Sequence, residues 1–239
     1  VINNSNTIVG SGYDASCFLH GFVRAVDGAV TMFDGPDATS TSAMSINDAG
    51  VICGYYNSLT GSYGFVRWSD GTMTTISVPN STTTVPYMIN NKNEIVGYYS
   101  DKEFSTHGFV RAVSGKFKTF DGPEAAFTEP QSINDSGEVS GQYSNESGAF
   151  GFIRTPDGTI ITVDPDGSTS VNVPSINKKG ISTGSYHSSG FVRERDGTLR
   201  QFNVRHGVYI SPTSISAKGI VTGNVLGRRD GRTHGFIFK

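Results

Sequence analysis

Three histidines, His20, His107 and His234, stand immediately before a Gly-Phe pair, and further copies of the motif hold Tyr63, Phe150 and Ser189 at that place. Five of the six side chains carry a ring. Rings with hydrogen-bonding tips suit a wall that holds an organic molecule and touches its polar groups; the alternative is repeated packing at the end of a strand. A second set lies two residues before a recurring Ile: Met44, Tyr87, Gln131, Pro174 and Thr213, with Glu129, Asn172 and Ser211 two positions further out. The Ile positions are uniform and these are chemically mixed, which is how a binding surface varies on a constant frame; drift at tolerant positions is the alternative. The chemistry such groups support is orientation and hydrogen bonding of a bound molecule. The candidates for promoting a reaction are His20, His107, Tyr87 and Gln131. Those for contacting a substrate are Met44, Tyr63, Phe127, Glu129, Phe150, Asn172, Tyr209 and His234.

Other chemistry finds little support. Three histidines separated by whole repeats stand too far apart for one metal unless they converge in a narrow channel, so no metal site is assigned. Gly180-Ile-Ser-Thr-Gly184 has the spelling of a nucleophile elbow, but the strand-turn-helix context is missing, so Ser182 is read as a strand residue. Cys17 has no placed base, and Cys17 and Cys53 allow either one bridge or two free thiols. Asp37, Glu124 and Glu129 are the carboxylates available for acid–base work. No phosphate-cradling loop occurs, and no cofactor is expected.

The elements that position these groups follow from a repeat. The recurring Ile, usually Ile-Asn, falls at Ile2, Ile46, Ile89, Ile133, Ile176 and Ile215, and Gly-Phe follows at Gly21, Gly64, Gly108, Gly151, Gly190 and Gly235. A period of about 43 residues built of short β runs is the mark of a propeller. In the second copy, strand A is expected at Ala43–Ile46, B at Val51–Tyr56, C at Tyr63–Trp68 and D at Thr72–Ser77. Six blades in one domain spanning 1–239 account for the six A–B–C sets, with strand A clipped to Val1–Asn3 in the first and strand D lacking in the last; five blades leave strands unplaced. Composition agrees: Val, Ile and Thr number 61, Leu and Ala only 15, and Gly 30 of 239. Strand alternation places the A–B and C–D turns at one end, short and uniform, and the variable B–C and D–A connections at the other. A site is expected there, around the mouth of a central channel. The Arg after Gly-Phe-x (Arg24, Arg67, Arg111, Arg154, Arg193) is read as structural.

The motifs His20-Gly-Phe-Val-Arg24, His107-Gly-Phe-Val-Arg111 and His234-Gly-Phe-Ile237, with Ile46-Asn-Asp-Ala-Gly50 and Gly97-Tyr-Tyr99, resemble those of the HAF-type extracellular repeat family over essentially the whole chain. That resemblance implies a repeat fold and export. A further resemblance, carried by no single motif, is to secreted fungal proteins that catalyse hetero-Diels–Alder cyclisations. It implies a cofactor-free cyclase acting on an apolar small molecule. The alternative is a non-catalytic glycan- or protein-binding propeller. A net charge of −2 disfavours nucleic acid as partner, no apolar run spans a membrane, and a monomer is expected. Sequons at Asn3, Asn80, Asn134 and Asn145 agree with a secreted or extracytoplasmic chain, though chance supplies nearly as many.

Overall fold

The computed structural model describes residues 1–239, which divide into two compact units, Val1–Phe120 and Asp121–Lys239. Each unit holds three consecutive antiparallel sheets, one per sequence repeat, and in the first unit single parallel pairings, Leu19 with Ser40 and Ser62 with Thr83, join neighbouring sheets. In the first unit these are β1 (Ile8–Tyr13), β2 (Leu19–Arg24) and β3 (Val30–Phe33); β4 (Ser40–Ile46), β5 (Ile52–Ser58), β6 (Gly61–Arg67) and β7 (Met73–Ile76); and β8 (Thr83–Ile89), β9 (Ile95–Ser100), β10 (Thr106–Arg111) and β11 (Phe117–Phe120). In the second they are β12 (Phe127–Ile133), β13 (Val139–Asn145), β14 (Gly148–Arg154) and β15 (Ile160–Val163); β16 (Val171–Ile176), β17 (Ser182–Tyr186), β18 (Ser189–Arg193) and β19 (Leu199–Phe202); and β20 (Gly207–Ile215), β21 (Val221–Gly227) and β22 (Thr233–Phe238). The clipped strand A of the first sheet is a bridge from Ile2 to Ile8. No helix is long and apolar enough to cross a membrane.

The repeated residues have physical reasons. The Phe of Gly-Phe fills the core: Phe65, Phe109, Phe152 and Phe191 are all 0% exposed, each burial contributing about 2–3 kcal/mol. The Gly before it admits a neighbouring side chain; a Cβ at Gly64 would press on Ile76 and Pro86. Strand A carries a β-bulge near its middle in five sheets, with register shifts at Ala43/Ser45, Pro86/Met88, Pro130/Ser132, Asn172/Ser175 and Pro212/Ser214. Opposite each bulge stands a glycine of strand B: Gly54, Gly97, Gly141, Gly184 or Gly223. A Cβ there would overlap the carbonyl oxygen of Ser42, Val85, Glu129, Asn172 or Ser211 respectively. These glycines are required by close backbone approach.

The Asn after the anchor Ile does two jobs. Asn47 Oδ1 accepts from the backbone N–H of Ala49 (3.1 Å) and Val51 (3.0 Å), closing the A–B turn. Its Nδ2 donates to the Asn90 carbonyl 43 residues on, at 3.0 Å. Asn3 donates likewise to Asn47 O at 3.0 Å, Asn134 to Asn177 O at 3.0 Å, and Asn177 to Ser216 O at 2.9 Å. Within each unit, neighbouring sheets are therefore stitched by an asparagine ladder. The sixth repeat has Ser216, which keeps the cap through Oγ, accepting from Ile220 N at 3.1 Å.

The strands run longer than expected at the B–C end. B and C of the second sheet are joined by Leu59–Thr60 alone, and tight B–C hairpins occur also at 146–147 and 187–188. The B–C connections at 14–18, 101–105 and 228–232 are the long ones. Cys17 is exposed, Cys53 is buried, and both thiols are free. Burial pushes the Cys53 thiol well above its ordinary range.

Candidate functional site

Met44, Tyr87, Gln131 and Thr213 are the bulged residues of β4, β8, β12 and β20; in β16 the irregularity takes in Pro174. A bulged residue leaves the ladder and its side chain is re-aimed. The sequence positions that vary most between repeats are thus those the backbone singles out. Met44 and Tyr87 are half-buried, and the Tyr87 ring lies 5.8 Å from that of Tyr98.

In the second unit the structure brings Glu129 and Gln131 together and adds Gln142. Glu129 Oε2 accepts from Gln142 Nε2 at 2.7 Å and from Gln131 Nε2 at 3.1 Å. Glu129 lies directly across the ladder from Gln142, while Gln131 reaches it because the bulge turns its side chain. The atom of Gln131 left without a partner is its oxygen: Oε1 is shielded from solvent and accepts nothing. The same holds for Asn172 Oδ1 on β16, a strand packed against β12 and β13. A buried acceptor left unmet costs about 1–3 kcal/mol. The first belongs to the side chain that holds the Glu129 carboxylate and the second to the neighbouring strand, and each calls for a hydrogen-bond donor. Phe127, half-buried, begins the same strand β12.

The positions before Gly-Phe pair across the strands. Tyr63 packs on Tyr56 (5.6 Å between ring centres), His107 on Tyr99 (5.0 Å) and Phe150 on Tyr143 (5.4 Å). Behind two of these pairs, buried Tyr56 and Tyr143 hydrogen bond to Thr75 (3.0 Å) and Thr162 (2.9 Å). The histidines each find an aspartate in their own repeat. His20 Nδ1 lies 2.8 Å from Asp34 and its Nε2 3.4 Å from Asp14; His107 Nε2 lies 3.1 Å from Asp101; His234 Nε2 lies 2.9 Å from Asp230. The Asp34 and Asp14 hydrogen bonds raise the His20 pKa, and the His107 hydrogen bond lowers that of Asp101. The aspartates and Gln142 escaped the sequence reading. One signal was there: Asp14–His20 and Asp101–His107 share the spacing Asp-x5-His. Tyr209 is 63% exposed and His234 lies on an exposed stretch of β22. No cluster of His, Cys, Asp and Glu is arranged to hold a metal. Ser182 is fully buried within β17, with no helix after it.

No protein-family model matches the sequence, and no curated protein matches it. Solved structures do. Virginiamycin B lyase from Staphylococcus aureus superposes with a TM-score of 0.65 at 11% identity, covering 99% of this chain and 82% of that one. A streptogramin B lyase gives 0.61 at 14% identity, covering 98% and 80%.

The fold is a β-propeller.

AofleA from Arthrobotrys oligospora also superposes, at a TM-score of 0.54 and 12% identity, covering all of this chain and 81% of that one. At such identities the likeness is one of fold, and function has to be read from this propeller's own side chains.

The Arg after Gly-Phe-x is structural in this propeller. Arg24, Arg67, Arg111, Arg154 and Arg193 each lie against the glycine of their C–D turn. Arg67 also stacks 4.9 Å from the Phe33 ring, and Arg154 and Arg193 donate to carbonyls of Thr155 and Glu194 at 3.4 Å.

Proposed function

We propose that this propeller binds a small, mainly apolar molecule bearing a hydroxyl or N–H group, and acts on it as a cofactor-free cyclase. The observation that carries the reading is the unmet buried acceptor Gln131 Oε1 in the Glu129 cluster, with a second, Asn172 Oδ1, on the strand β16 packed against β12 and β13. A ligand donor reaching them removes a desolvation cost the folded protein already bears. Orientation of a bound chain can lower a cyclisation barrier by about 7–11 kcal/mol, and such a reaction asks only for shape and well-placed hydrogen bonds. Within this unit Phe127, on the same strand β12 as Glu129 and Gln131, is the apolar contact proposed beside them.

The test is a thermal-shift screen against polyketide and terpenoid metabolites, followed by product analysis for every hit. A ligand at about 100 times its Kd stabilises by roughly 2.7 kcal/mol. The reading requires a hit that weakens in both Gln131→Ala and Asn172→Ala, and a cyclised product formed faster, or with altered stereochemistry, when protein is present. A hit that survives both substitutions removes the site; binding without product removes the cyclase.

A second reading, multivalent sugar binding, is favoured by the recurrence of a half-exposed ring packed on a strand-B tyrosine at Tyr63, His107 and Phe150. It predicts oligosaccharide binding that survives each single substitution and weakens only when several are combined.

A further inference from the structure

Charge is distributed unevenly along this chain. Residues 200–239 hold seven of the 19 Lys and Arg but one of the 21 Asp and Glu, a net of +6, while the first 199 residues carry −8. The D–A turns show where the reversal falls. Four of them pair a proline with a left-handed acid or amide: Pro36-Asp37, Pro79-Asn80, Pro123-Glu124 and Pro165-Asp166, the second residue at φ 50, 65, 53 and 55°. The fifth has the same backbone, with Gly207 N donating to Val204 O at 2.9 Å and His206 at φ 65°, but reads Arg205-His206.

Beside this turn lies a cavity of about 330 Å³ within the second unit. Arg205, His206, Arg228, Arg229 and His234 line it, over a floor that includes Val204 and Val225. The B–C loop is tied to the turn by Arg228 N donating to His206 O at 2.9 Å. Asp230, the lone carboxylate of the lining, is already engaged, accepting from Arg232 N at 3.1 Å and lying 2.9 Å from His234 Nε2.

We propose that this cleft is a binding site for a small organic oxyanion, a phosphate, sulfate or carboxylate head on a compact apolar body. Three arginines border the cleft, and a guanidinium offers planar donors matched to an oxyanion; the volume falls in the range of small-ligand pockets. The valines account for the apolar body. The site is separate from the Glu129 cluster and stands whether or not that cluster binds a ligand.

The experiment is calorimetric titration with phenyl phosphate and with inorganic phosphate, on the wild-type chain and two double variants. Arg228→Ala/Arg229→Ala removes the proposed site. Lys178→Ala/Lys179→Ala removes the same charge from the exposed A–B turn of the fifth repeat. Expected is saturable one-to-one binding of phenyl phosphate, at least ten-fold tighter than inorganic phosphate. It weakens ten-fold or more in the arginine variant, stays within two-fold of wild type in the lysine variant, and falls as sodium chloride rises from 50 to 500 mM. A thermal melt within about 3 °C of wild type shows that the arginine variant is folded; Arg205→Ala serves where it is not. Absence of saturable binding, equal loss in both double variants, or equal affinity for the two probes overturns the proposal.

Discussion

The A–B turns and the D–A turns are both four-residue reversals with a left-handed residue, yet they obey different rules. In the A–B turns the left-handed position holds Gly50, Gly137, Gly180 and Gly219, or Asn6 and Asn93, the residues that tolerate it best. The same turns bear the asparagine ladder, so each is tied to its own strand and to the next sheet. In the D–A turns that position holds Asp37, Asn80, Glu124, Asp166 and His206. A turn whose side chains the scaffold needs converges on one solution. A turn anchored from outside, as where Gly35 N and Gly122 N donate to buried Thr41 and Thr128, is free to change its surface chemistry. Among the D–A turns, positive charge appears only in the fifth, at Arg205-His206.

Four measurements test this contrast. The largest effect belongs to Gly54→Ala. Its Cβ has no room against the Ser42 carbonyl, and the variant should lose about 4 kcal/mol or more, read by urea unfolding. A loss below about 1 kcal/mol would show the bulge to be pliable. Next, Asn134→Ala strands the N–H groups of Ser136 and Glu138 and the Asn177 carbonyl. It should cost about 2–3 kcal/mol in the same assay. Third, Glu124→Gly at the free end should change stability by less than about 1 kcal/mol and raise Tm, because glycine relieves the positive φ; a fall in Tm would mean that Glu124 is held for its contacts. The smallest effect is that of pH on His20. Its raised pKa means its stabilisation is full below pH 6.5 and is lost as pH rises through the higher folded value. NMR titration should place His20 above 6.5 in wild type and lower in Asp34→Asn, with Tm falling between pH 6.5 and 8.5 more steeply in wild type. An unchanged midpoint in the variant would reject Asp34 as the cause.

Much of the fold was legible because its signals are local and repeated. The anchor Ile and the Gly-Phe pair recur at nearly fixed spacing, and the core requires both. The asparagine was visible as a letter but not as a ladder, since its partner carbonyl lies 43 residues away. The bulge was hidden for a similar reason: Met44, Tyr87 and Gln131 stood out as variable, but only the strand-B glycine opposite explains why the backbone turns them out. Of the site, Glu129 and Gln131 were legible from their offset to Ile133. Gln142 was not, because it belongs to strand B and is placed by cross-strand register alone.

The asparagine ladder also governs how this protein ages. Direct hydrolysis of the amide to aspartate replaces the side-chain nitrogen with oxygen and leaves the backbone unchanged. At Asn47, Asn134 or Asn177 the product would keep the oxygen that closes the turn and lose the donor that reaches the next sheet, leaving two oxygens facing each other across about 3 Å. The turn would survive its own damage while the seam beside it opened. Chemical wear should therefore first show as sheets parting within a unit, with each sheet still folded.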